Sequence, residues 1–460
     1  MTQAEQLAAF AARASYGGLS EAARAQLKIR VLDALGCAIG ALEGEPIRML
    51  RAQLHEFGGA GLCSLIGGGR TAPDRAALYN SALVRYLDFN DSYLAKGETC
   101  HPSDNLGAVL AAAEYAGRDG RDFMAALAVA YQVQCRLSDA APVRDKGFDH
   151  TTQGCYALAA GVAKALGLDP LRTAHAIAIS GTAFNALRVT RTGALSHWKG
   201  LAYPNAAFCC THAAFLAMRG ITGPLEVFEG RKGFMEAIAG RFDIAWPSED
   251  LERVTQTILK EFNAEVHSQS AIEGILELRS EFKLGREEEV ERIEIETFDV
   301  AYNIIGGGNE GEKKLVRTKE EADHSLPYLV AVALLDGQVM PEQYLPERIG
   351  REDVQRLLAK VVVRPSEEFS RRFPAEMPCR VTVALRDGRR LVREKRDYEG
   401  FRTRPMNWDA AVAKFERLSR RFSDAPLRRD IVDAVARLDE IQVADLTDLL
   451  TDVAEPAEQR

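Results

Sequence analysis

The feature that most constrains this chain is a change of hydrophobic period near residue 265. From about residue 20 to 260, apolar positions are filled by Ala, Leu and Gly in runs such as 108–116, 125–133, 157–166 and 174–179. These runs lack the alternation of strands, and small side chains let helix axes approach closely, so they predict a bundle of buried helices. Ser20-Glu21, Asp169-Pro170 and Gly223-Pro224 punctuate it. Beyond residue 265, Arg292-Ile293-Glu294-Ile295-Glu296-Thr297-Phe298 has the period of a half-buried strand, and residues 361–363 and 380–385 behave likewise. The Asp387-Gly388 turn into Arg390-Leu391-Val392 predicts a hairpin. An intervening apolar segment at 327–335 predicts a helix, so the stretch is mixed α+β. Helical spacing returns at Trp408, Val412 and Phe415. The expected fold is therefore mainly α with an α+β insertion. An all-helical domain would take residues 1–258 and 402–460, and a smaller α+β domain residues 259–401.

With 460 residues and 47% hydrophobic content the chain can bury two ordinary cores. Its 58 basic and 66 acidic residues give a net charge of −8 without any Lys/Arg-rich run, which argues against a nucleic-acid partner. An anionic ligand must then be held by a local cluster of cations. The apolar run 206–218 is broken by Cys209, Thr211 and His212 and is too short for a bilayer, so no membrane span is expected. Eight cysteines form no C-x-x-C pair, which fits reduced core residues and argues against an iron–sulfur cluster or structural zinc. The first residues, with Glu5 and no uninterrupted apolar core, carry no secretory signal pattern, so a cytoplasmic location is expected.

Polar groups gather where the helical pattern is interrupted. Arg85-Tyr86-Leu87-Asp88-Phe89-Asn90-Asp91-Ser92 is followed by His101-Pro102-Ser103-Asp104, just ahead of an apolar run from 106 to 116. Taken alone the segment reads as helix caps joined by a solvated loop, with Asp104 or Asn105 as N-cap. His150 follows Asp149, and Lys199 lies between Trp198 and Gly200, where partial desolvation would suit it to gripping a carboxylate. The bland alternatives are a capping or core histidine and a snorkelling lysine. In Lys260-Glu261-Phe262-Asn263-Ala264-Glu265-Val266-His267-Ser268-Gln269 an extended backbone would put Glu265 and His267 on one side; such a pair is weak evidence for metal, and none is expected. Ala322-Asp323-His324-Ser325-Leu326-Pro327-Tyr328 reads as a polar entry to a helix, on which His324 and Tyr328 would share a face. The Gly306-Gly307-Gly308 run lacks both the Rossmann and the P-loop pattern and reads as a loop.

Together these motifs, with Thr222-Gly223-Pro224 and Phe228-Glu229-Gly230, resemble the MmgE/PrpD family over nearly the whole chain and in the family's order. The resemblance implies an all-helical domain with a smaller α+β lid, a homodimer, and a cofactor-free site between the domains acting on a small di- or tricarboxylate. Carried across motif by motif, the family's decarboxylase-type site falls on Asp88, His101, His150, Lys199, Lys260 and Tyr328, with Ser92 where that branch has threonine. Glu265 departs from that branch, which has histidine there. The Ala264-to-Gln269 motif and Gly400-Phe401-Arg402-Thr403-Arg404-Pro405-Met406 instead resemble the 2-methylcitrate dehydratase branch.

Dehydrating such a substrate takes a base, an acid and cations for several carboxylates. The expected roles are proton transfer by one or both of His101 and His150, with Asp88 fixing a histidine tautomer and Tyr328 or Ser92 assisting the hydroxyl. Lys199 and Lys260 hold carboxylates, with Arg191 as a further cation and Glu265, His267 and His324 lining the substrate; Asp104 is expected to be a helix cap. Epimerisation of a dicarboxylate such as iminodisuccinate, decarboxylation of cis-aconitate, and a non-catalytic binding role remain alternatives.

Overall fold

The computed structural model describes residues 1–454 and divides them into two compact units. The first comprises Met1–Val189, Gly200–Thr257 and the chain from Asn407 onward; the second comprises Thr190–Lys199 and Ile258–Met406. Residues 190–199, expected in the helical domain, pack with the second unit.

The first unit is a helical body built from the small-residue runs. Helices Leu106–Tyr115, Gly120–Ala140, Thr151–Leu166 and Pro170–Ala183 pack in succession. Ser20 and Asp169 cap their helices by accepting from Ala23 N and Arg172 N, whereas no helix starts at Gly223-Pro224. Two short ribbons accompany the helices, Cys63–Ser64 with Arg70–Thr71 and Tyr93–Ala95 with Glu98–Cys100. The helix Trp408–Ser419 lies on Glu21–Gly40, where Lys414 Nζ sits 2.7 Å from Asp33 Oδ1, donates to the Phe89 carbonyl at 2.8 Å and lies over the Phe89 ring. All eight cysteines are free thiols and seven are buried. No helix among the described residues is long and apolar enough to cross a membrane.

Close approach inside this body depends on glycine at particular places. A Cβ on Gly107 would stand 2.4 Å from Ser81 N and 2.8 Å from the Asn80 carbonyl carbon, so the Leu106–Tyr115 and Pro73–Tyr86 helices touch backbone to backbone. Gly107→Ala is expected to destabilise the protein by roughly 1–3 kcal/mol through overpacking, read as a lower urea midpoint; an unchanged midpoint would show that the contact yields.

The second unit carries a four-stranded mixed sheet in the order Val361–Pro365, Val290–Thr297, Cys379–Leu385, Arg390–Lys395. The first two strands pair in parallel, the remaining neighbours antiparallel. Cys379, Val381, Val383 and Leu385 are buried while their alternate neighbours are half-exposed, as period two requires. Helix Gln269–Phe282 lies on the last two strands and helix Leu326–Asp336 packs against that helix. The hairpin turns at Asp387-Gly388, where Gly388 has φ +89°.

Candidate functional site

In the first unit, the end of the Pro73–Tyr86 helix and the 3₁₀ turn Pro102–Asn105 bring the opening motif together. Asp88 leaves the helix with φ +55°, a conformation aspartate tolerates better than most side chains, and its N–H donates to the Arg85 carbonyl. The Arg85 guanidinium donates to Asp88 Oδ1 at 2.7 Å and faces Asp104 Oδ2 at 3.6 Å. Asp88 is therefore an arginine partner here. At His101 a backbone oxygen faces the ring: Nδ1 lies 2.8 Å from the Asp91 carbonyl and 3.1 Å from Ser92 Oγ.

Asp104 corrects the sequence reading more sharply. The helix Leu106–Tyr115 begins without a side-chain cap from Asn105, and Asp104 points elsewhere. Its Oδ1 accepts from Asn90 Nδ2 at 2.8 Å, and its Oδ2 faces Arg85 and, at 3.9 Å, His150 Nε2. The side chain is wholly buried. His150 in turn has Nδ1 3.3 Å from Asp149 Oδ1, presents its ring edge-on to His101 with centroids 5.5 Å apart, and stacks on Tyr203. Gly154 leaves room for that tyrosine, since a Cβ there would meet the ring at 2.4 Å.

Asp91 supports the turn from below. Its carboxylate accepts from Ser103 N at 3.0 Å, Ser103 Oγ at 2.7 Å and the Tyr131 hydroxyl at 2.8 Å. Burial nevertheless outweighs these bonds and raises its carboxyl to about 6.

The second unit holds a cluster centred on Asp323, which no motif argument singled out. Lys199, Lys319 and His324 all converge on this one fully buried carboxylate, Lys319 at 2.7 Å and His324 Nδ1 at 2.9 Å. Burial would push the carboxyl up, but Lys199 first and then Lys319 and His324 hold it well below the usual range. Two lysines thus share this one carboxylate. Glu265 joins through backbone, its N–H donating to the Asp323 carbonyl at 3.1 Å.

Glu265 and His267 do come together, though not along an extended strand. Residues Val266–Ser268 form a 3₁₀ turn, and Glu265 is its N-cap, accepting from His267 N at 2.8 Å while Oε1 lies 2.6 Å from His267 Nδ1. The imidazole packs against Phe298 and Phe373, and its buried Nε2 makes no hydrogen bond among the described residues. Burial again acts to raise Glu265, but His267, His324 and Lys260 outweigh it and lower the carboxyl to about 2. Because the folded value lies below the ordinary 4.5, its stabilisation is present above pH 4.5 and lost as pH falls toward 2. Asp91 has the opposite sign, its destabilisation growing as pH rises from 3.8 through 6. A Glu265→Gln variant should thus lack part of the acid-induced loss of stability seen by urea titration between pH 4.5 and 2; an identical acid profile would remove Glu265 from that role.

Lys260 is fully buried, and Arg191, in the 190–199 segment, is 5% exposed. Tyr328 is placed differently from expectation. Helix Leu326–Asp336 starts after His324, so the two do not share a helical face, and the Tyr328 hydroxyl donates to the Gln343 carbonyl inside the apolar core. Burial raises its phenol well above the usual range.

A helical domain followed by a mixed α+β domain, each with buried histidines among carboxylates, defines a two-domain chain of a particular kind. The chain belongs to the MmgE/PrpD family: the family's N-terminal domain matches residues 5–247 and its C-terminal domain residues 262–440. It is 27% identical over 457 residues to the 2-methylcitrate dehydratase of Salmonella typhi, with 91% of each chain covered. The mitochondrial 2-methylcitrate dehydratase of Yarrowia lipolytica is 28% identical over 340 residues, covering 69% of this chain and 64% of the relative. The cis-aconitate decarboxylase of Mus musculus is 24% identical over 396 residues, covering 81% and 77%.

Proposed function

We propose that this chain is a cofactor-independent hydro-lyase that removes water from 2-methylcitrate or citrate, giving 2-methyl-cis-aconitate or cis-aconitate. The observation that carries the reading is the pair of buried imidazoles, His101 and His150, 5.5 Å apart, with a backbone carbonyl facing Nδ1 of the first and a carboxylate facing Nδ1 of the second. Elimination of water needs one group to take a proton beside a carboxylate and another to protonate the leaving hydroxyl, and such a pair is suited to both. The similarity to relatives named 2-methylcitrate dehydratase over 91% of the chain supports the same reading. Lys199 and Lys260 hold substrate carboxylates, Lys199 from within the cluster centred on Asp323.

Lys199→Ala is expected to raise KM by about 10–100-fold, the loss of one charge-assisted contact. Steady-state kinetics on the folded variant checks this, and unchanged KM and turnover would remove Lys199 from substrate binding. The function itself is tested by offering the purified protein 2-methylcitrate, citrate, cis-aconitate and iminodisuccinate while following unsaturated-acid absorbance, CO2 release and loss of optical activity. Formation of the unsaturated acid from 2-methylcitrate or citrate is the expected result. Decarboxylation of cis-aconitate is the second reading, motivated by the mouse relative, and CO2 release without dehydration would favour it.

A further inference from the structure

We infer that His150 is the acid and His101 the base of the proposed dehydration, with Asp104 and Asp149 as positioning residues that hold His150 as an imidazolium. The catalytic step rests on the hydro-lyase reading, whereas the two charge states follow from the contacts.

His101 Nδ1 faces the Asp91 carbonyl, an oxygen that only accepts, so this nitrogen carries the proton and Nε2 is the basic one. The nearby Ser92 hydroxyl is neutral as well. His150 has a carboxylate toward each nitrogen, Asp149 at 3.3 Å and Asp104 at 3.9 Å. Asp104 Oδ2 is buried and accepts no hydrogen bond among the described residues, although its partner oxygen takes the Asn90 amide. An unsatisfied buried carboxylate oxygen facing an imidazole nitrogen attracts a proton to that nitrogen, and the gap is of a length that tightens when substrate binds.

Groups facing His150 include Asp149 from its own segment, Asp104 and His101 from the 101–105 turn, and Tyr203 from the helix Trp198–Met218. Burial keeps the Tyr203 phenol neutral. Behind them Arg85 serves both Asp88 and Asp104, and Arg188 stands 3.7 Å from Asp149. The carboxylates of Asp104 and Asp149, one toward each ring nitrogen, favour a proton on His150. At 3% exposure His150 feels that field with little screening.

In the step itself His101 Nε2 takes the proton from the carbon beside a substrate carboxylate. The C–H electron pair becomes the new C=C bond, the C–O bond breaks, and the His150 proton leaves with the hydroxyl as water. Both histidines are then reset by proton exchange with solvent.

Long-range proton–nitrogen NMR on the full chain with nitrogen-15 histidine, assigned through His101→Gln and His150→Gln, reads both rings directly. The expected spectrum shows neutral His101 as the Nδ1–H tautomer at pH 7 and His150 still doubly protonated. Asp104→Asn should move the His150 midpoint down by about one pH unit and leave His101 in place. In kcat/KM profiles the same variant should draw the alkaline limb inward. A neutral His150 at a pH where His101 is protonated overturns the inference, as does an unmoved His150 in folded Asp104→Asn and Asp149→Asn. If the variants fail to fold, the native spectrum still decides the charge states. The expected ring states without turnover of any offered acid would overturn the assigned step and the hydro-lyase reading together, leaving only the positioning of His150.

Discussion

Alanine at His101 or at His150 is expected to lower kcat for 2-methylcitrate dehydration by about 10²–10⁴-fold, the usual contribution of a positioned proton carrier. KM should change far less, because neither imidazole is assigned to the substrate's carboxylates. The double variant should fall little below the worse single one, since elimination fails once either proton transfer is lost. Full turnover in either single variant would refute the proton-carrier assignment. Both rings are buried, so circular dichroism and urea unfolding must accompany the kinetics to separate chemistry from packing.

Asp323→Asn is expected to produce the largest loss of stability among the polar positions of the second unit. It removes the anion shared by Lys199, Lys319 and His324 while leaving those cations in place. Breaking a buried pair from one side costs about 3–5 kcal/mol, because the stranded charge keeps its desolvation penalty. Urea unfolding would read this as a lower midpoint. Lys319→Met should cost less, since Asp323 retains Lys199 and Lys319 is 13% exposed at its side chain. Equal midpoints for Asp323→Asn and the parent would show that the cluster contributes nothing net.

The elements were the most legible part of the sequence. The alternation at 292–298 and 380–385 became strands Val290–Thr297 and Cys379–Leu385, and the small-residue runs became helices, because period and side-chain volume act locally. The site was legible by residue type and much less by partner. Glu265 and His267 meet, but through a capped 3₁₀ turn that no two-residue spacing specifies. Asp104 was misread because a residue suited to capping a helix is equally suited to facing a cation. The acceptor that sets the His101 tautomer is a backbone carbonyl, which every residue has and no motif marks. Asp323 became visible only when Lys199 and Lys319, far apart and near in sequence respectively, were seen to converge on it. Tyr328 carried a motif resemblance, yet its hydroxyl is satisfied by the Gln343 carbonyl.

The Lys414–Asp33 pair also sets an order of events during synthesis. Asp33 lies on one of the first helices made, and its cation arrives on one of the last. Closing so long a loop delays the contact, and until it forms the early helices present a buried acid without its counter-charge. The nascent helical body is therefore incomplete while the whole α+β unit emerges from the ribosome, a window in which its apolar face remains available to chaperones.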